Sequence, residues 1–130
     1  MRRTLSPAAL LAVVVAAAAA PLAAAGKPSL NVYFQKTLSD TAYQKKVFDK
    51  VAKAWQMPAA LPAVGKKTVV QAVISKEGKL ASAMVSMASG SKEWDEAALA
   101  AVKAAAPFEP LPAAYEYRSV EVHFHFALAR

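Results

Sequence analysis

The chain has 130 residues, no cysteine and a net charge of +7. This length favours one domain, and the absence of thiols excludes disulfide staples and thiolate zinc sites. The lysines that carry the charge are scattered and not interleaved with aromatics, which argues against a nucleic-acid surface and leaves a mild preference for acidic partners.

Residues 1–25 open on Arg2 and Arg3, continue in an apolar run over residues 8–20, and end on Pro21 and the small residues Ala23, Ala24 and Ala25. A charged head, a short apolar middle and a small-residue end form a secretory signal, expected to be cleaved after about Ala25. The alternative is an uncleaved membrane anchor, since residues 8–25 are near the lower length limit for a span. Alanine drives insertion weakly, however, and Pro21 falls where an anchor should stay helical. The leader also inflates the 56% hydrophobic content. Removing its two arginines takes the charge from +7 to +5.

Residues 26–38 form a lead-in whose residues 30–34 can serve as an added edge strand or as an arm. Ser39, Asp40 and Thr41 then offer N-cap oxygens. Tyr43, Val47, Val51 and Trp55 recur every four residues, with Phe48 and Ala54 widening the stripe into one apolar helix face. Lys45, Asp49 and Lys53 line the wet face. Pro58 stops the helix near Met57.

Residues 67–75 predict a strand with Val70, Ala72 and Ile74 on one face and Val69, Gln71 and Val73 on the other. Ser75-Lys76-Glu77-Gly78 makes a hairpin turn, and residues 80–88 return. Leu80 and Met84 share one parity there while Ala83, Val85 and Met87 share the other, so a bulge is expected near Ser82. Ser89-Gly90-Ser91 caps a second helix. Glu93, Asp95 and Glu96 crowd its first turn, where the helix dipole favours negative charge. Trp94, Ala97, Ala98, Ala101, Val102 and Ala105 give it a stripe of mostly small residues. Residues 107–112, rich in proline, force an extended connector.

The closing strand, residues 119–128, alternates Val120, Val122, Phe124, Phe126 and Leu128 with Ser119, Glu121, His123, His125 and Ala127. One face is apolar and the other polar. The sum is an α+β fold: two helices packed on one face of a mostly antiparallel three-stranded sheet, in the order α-β-β-α-β.

Little here points to catalysis. A nucleophile-elbow pattern is absent, and the lone glycine of Lys76-Glu77-Gly78 cannot cradle a phosphate. The acidic residues Glu93, Asp95 and Glu96 are explained by helix-start electrostatics, and Trp55 and Trp94 read as core. His123 and His125 lie roughly 7 Å apart on one strand face. With Glu121 they are the alternative, a metal or small-ligand site; the plainer reading is solvent-facing strand residues. We therefore expect no enzyme and no cofactor.

Five pieces in order carry a family resemblance. They are Trp55-Gln56-Met57-Pro58, the hairpin of residues 73–80, and Ser89-Gly90-Ser91 leading to Asp95-Glu96-Ala97-Ala98. Pro107-Phe108-Glu109-Pro110-Leu111-Pro112 and the alternating residues 120–126 complete the set. Together they resemble the carboxy-terminal domains of the TonB and TolA type. Trp94 stands where that family usually has leucine, and Glu109 where proline is common.

The chain is expected to divide into a signal over 1–25, a lead-in over 26–38 and, over 39–130, the domain that carries the resemblance. The resemblance implies a non-enzymatic periplasmic module, or an inner-membrane-anchored one if the leader is retained, that binds a cell-envelope protein by adding a partner strand to its sheet edge. The lead-in of 13 residues reaches about 45 Å fully extended. That is short for energy transduction across the envelope. The candidate edge is the closing strand, with Ser119, Glu121, Val122, His123 and His125 as the partner-binding residues. Its histidines would give recognition a pH dependence.

Overall fold

In the computed structural model, residues 26–130 are described; the leader and its cleavage after Ala25 lie outside them. The elements in chain order are β1 (Lys27–Phe34), α1 (Thr41–Ala54), β2 (Lys67–Ser75), β3 (Leu80–Met87), α2 (Lys92–Ala105) and β4 (Ser119–Ala129). Among the described residues no helix is long and apolar enough to cross a membrane.

Both helices start where a side chain can satisfy an unpaired first-turn amide. The Tyr43 N–H donates to Asp40 Oδ1 at 3.0 Å in α1, and the Trp94 N–H to Ser91 Oγ at 3.1 Å in α2. Helix α1 buries Tyr43, Val47 and Val51, and α2 buries Trp94, Ala98, Ala101, Val102 and Ala105. These are the faces expected from the spacing, except that Phe48, expected to widen the α1 stripe, is exposed.

The sheet has four strands, in the order β1-β4-β2-β3, and every pair is antiparallel. The expected three-stranded sheet gains its fourth strand from the lead-in. There Leu30, Val32 and Phe34 alternate inward onto the core, while Tyr33 breaks the polar half of the pattern by pointing its ring outward. Strand β3 carries the expected irregularity: Val73 faces Ser82 but Ile74 faces Leu80. Ala81 is therefore the extra residue of a bulge.

Both helices cover one face of this sheet, and the inward residues of β4 (Val120, Val122, Phe124 and Phe126) are fully buried beneath them. Removing such side chains from water stabilises the fold by about 1.5–3 kcal/mol each. Trp94, also fully buried, donates its indole N–H to the Phe126 carbonyl at 2.9 Å. Trp55 meets both Trp94 and Phe126 edge-on, with centroids 5.3 and 5.0 Å away.

The connector after α2 does not hang free. Phe108 N–H donates to the Gly78 carbonyl at 2.8 Å and Leu111 N–H to that of Lys76 at 2.9 Å, so the connector is tied to the β2–β3 turn. Tyr43 donates its hydroxyl to the Glu109 carbonyl at 2.7 Å. Burial, and then the Glu109 charge, push that phenol up to about 12.

Asp95 does more than complement the α2 dipole. Its Oδ1 accepts from Thr68 Oγ1 at 2.5 Å, Ser89 N at 2.9 Å and Ser89 Oγ at 2.8 Å, joining β2, the β3–α2 turn and the helix. Burial works against the charged carboxylate, but the hydrogen bonds from Thr68 and Ser89 outweigh it and hold Asp95 below its ordinary value. A lowered folded-state pKa stabilises the fold above the unfolded value, near 4. That contribution is lost as pH falls through the folded value. Urea midpoints measured downward from pH 6 should thus fall less steeply in Asp95→Asn than in the native chain. Parallel curves would show that Asp95 contributes nothing to acid stability.

Candidate functional site

The helices leave one sheet face and two sheet edges open. On the open face, β4 presents Glu121, His123 and His125, the residues singled out from the sequence. Glu121 Oε2 lies 2.6 Å from His123 Nε2. His125 instead packs against the Tyr33 ring of β1, centroids 4.6 Å apart. Burial, then Lys67 and His123, hold His125 below its ordinary value. Among the described residues no three His, Cys, Asp or Glu side chains stand together to hold a metal. The set of Glu121, His123 and His125 is split, two pairing with each other while the third faces Tyr33.

The closing strand is not an edge. β4 is paired with β2 from Ser119 to Ala127 and with β1 from Val122 to Ala129, in the registers Val69 to His125 and Asn31 to His125. Beyond β1, Glu121 meets Gln35 and the Ser119 carbonyl accepts from the Tyr115 hydroxyl at 2.8 Å. The expectation that Ser119, Glu121, Val122, His123 and His125 lie on an open edge is thereby corrected. The lead-in covers that edge, because its inward Leu30, Val32 and Phe34 extend the apolar face of β4.

Direction along the ladder follows from a few bonds. Gln35 N–H donates to the Glu121 carbonyl at 3.0 Å, and Glu121 N–H returns to Gln35 Oε1 at 3.0 Å. Leu128 N–H donates to Lys66 O at 3.1 Å, on the opposite side. Backbone groups alternate sides along an antiparallel strand. Glu121, His123, His125 and Ala127 therefore bond to β1, and Val122, Phe124, Phe126 and Leu128 to β2.

The open edges are β1 and β3. Natural edge strands are commonly blunted by charge or proline. β1 follows this rule, opening on Lys27 and Pro28, whereas β3 (Leu-Ala-Ser-Ala-Met-Val-Ser-Met) has neither. Met84 and Met87 stand 57% and 51% exposed on β3, and Tyr33 56% exposed on β1. Carried across β2, the same alternation turns Ser82 and Met84 toward β2. It leaves the amides and carbonyls of Ala83 and Val85 facing outward.

The geometry is thus two helices on one face of an antiparallel sheet with an uncharged open edge. The comparisons supply the class: a protein-interaction module of the envelope type. The family model described as TonB C terminal matches residues 40–126, and the chain belongs to that family. The domain is also similar to the solved structure of TolAIII bound to a peptide derived from the N-terminus of TolB. That match has 25% identity and a TM-score of 0.53, and covers 67% of this chain and 74% of that one. None of the curated proteins matches. Strand β1 precedes the matched residues altogether.

Proposed function

We propose that this chain is a non-enzymatic periplasmic interaction module that binds an extended segment of a cell-envelope protein by strand addition to β3. The observation that carries the proposal is the β3 edge itself. It spans eight residues, carries neither charge nor proline, and directs unpaired backbone groups outward. An extended peptide satisfies such groups with main-chain hydrogen bonds, and its alternate side chains supply specificity. The TolAIII structure, solved with a bound peptide, supports the taking of a peptide segment by a domain of this fold, and the family membership supports an envelope setting. The sequence pattern of residues 1–25 supports export, which the intact mass of the mature chain would test by showing a start at Gly26.

Ala83→Pro probes the edge directly. It removes an outward N–H but no β2 bond, a change that edge strands tolerate. Native chain and variant would be used to capture partners from envelope extract, with far-UV circular dichroism to verify folding. The proteins held by the native chain should be lost from the folded variant. Equal capture by both would rule out β3 as the docking edge.

A further inference from the structure

We propose that β3 also pairs with the β3 of a second copy of this chain, about a two-fold axis at Met84, joining two four-stranded sheets edge to edge. The occupant is read from the edge itself. Register shifts on either side confine the regular part of β3 to Ser82–Val85. Within it Ala83 and Val85 turn their amides and carbonyls outward. The same stretch turned end for end satisfies both residues. Each Ala83 then faces the other copy's Val85 in a hydrogen-bonded pair, and the two Met84 residues meet in a non-hydrogen-bonded one.

Three observations favour a copy over an unlike strand. First, β3 carries no charge, so no like charges meet across the axis. Second, the edge is apolar on both faces. Met84 and Met87 are exposed on the open face, while Ala83, Val85 and Leu99 are only partly buried on the helix side. A copy brings matching apolar groups to each face, as a self-complementary two-fold interface requires.

Third, the helix layer closes over the seam. An axis perpendicular to the sheet keeps the helices of both copies on one side. α2 packs on β2 and β3, so strands about 4.8 Å apart would set the two α2 helices about 10 Å apart, a helix-packing distance. α2 runs back along β3, which brings Leu99, midway along it, close to the axis. Ala97, Ala100 and Ala104 line the groove toward α1, so Leu99 turns to the seam. Glu96 lies three residues before Leu99 and Lys103 four after. Antiparallel pairing therefore sets each Glu96 near the other copy's Lys103. Within its own chain Glu96 has only an exposed contact with Lys92, at 4.0 Å. A paired β3 cannot take an envelope strand, so the dimer holds the docking edge closed; that consequence alone rests on the function proposed above.

Sedimentation equilibrium tests the pairing. From micromolar to millimolar concentration, the mass of the native chain should rise toward twice that of the monomer. Met84→Lys sets like charges face to face on the axis but leaves every backbone group in place, and should stay monomeric with an unchanged circular dichroism spectrum. Glu96→Lys should weaken association about fivefold, since two exposed ion pairs are lost, and adding Lys103→Glu should restore it.

The chain has no cysteine, so Met84→Cys introduces a single thiol. On oxidation it should link two copies, because Cα atoms about 4.5 Å apart lie within disulfide reach. Ser82→Cys, exposed on the same strand, should not, since the axis sets its two copies well apart. A native chain that is monomeric throughout would overturn the proposal. So would association unchanged in Met84→Lys, a charge swap without rescue, or equal cross-linking through both cysteines. None of these measurements needs an envelope partner, so failure of self-pairing and failure of partner capture are separate results.

Discussion

Trp94→Ala should lower the unfolding free energy by about 3–5 kcal/mol, a large part of the 5–15 kcal/mol or so that holds a domain of this kind. Three effects combine in that loss. The indole is fully buried at the start of α2, so alanine leaves a cavity that the surrounding sheet cannot collapse into. The Phe126 carbonyl loses the donor at 2.9 Å. Trp55, which meets Trp94 edge-on, loses one wall of its packing. Trp94→Leu separates these effects. It keeps apolar volume but removes the donor, so its cost should lie between native and alanine. Urea unfolding of the three chains checks the order. A Trp94→Ala loss below about 1.5 kcal/mol, outside the range for buried Trp→Ala, would show that the indole is not the keystone of this corner.

Gly78→Ala should be the most damaging change in any loop. Gly78 sits at φ +92, where a side chain costs about 1–2 kcal/mol, and a Cβ there would also strike the connector backbone. It would lie 2.8 Å from the Glu109 carbonyl oxygen and closer still to that of Phe108. Neither oxygen can step aside, since Phe108 N–H and the Tyr43 hydroxyl anchor this stretch. Gly90 is the internal control. Its φ is +101, but a Cβ there meets nothing within 4 Å, so Gly90→Ala incurs the conformational cost alone. The thermal midpoint of Gly78→Ala should fall well below that of Gly90→Ala. Matching midpoints would mean that the connector yields and does not clamp the turn.

The two helices and three of the strands were legible because their patterns are local. The four-residue spacing from Tyr43 to Trp55, the alternation from Val120 to Leu128 and the parity slip near Ser82 each record a face turned toward the core. Strand β1 was only half legible. Leu30, Val32 and Phe34 alternate, but Tyr33 between them is apolar too, and its outward position is defined by the His125 ring that it meets across the strands. The role of Asp95 was legible only as helix-start charge. Thr68 lies 27 residues before it in the chain, and no spacing rule announces that contact.

Which strand forms an edge cannot be read from any segment in isolation. Alternation records which face of a strand is buried, and β4 shows its face clearly. Edges depend on which backbone groups find partners. The sequence by itself therefore determined the element types, the buried faces and the family. Only the tertiary structure decided that β4 is covered by β1 and that β3 is open, because backbone hydrogen bonds carry no side-chain signature.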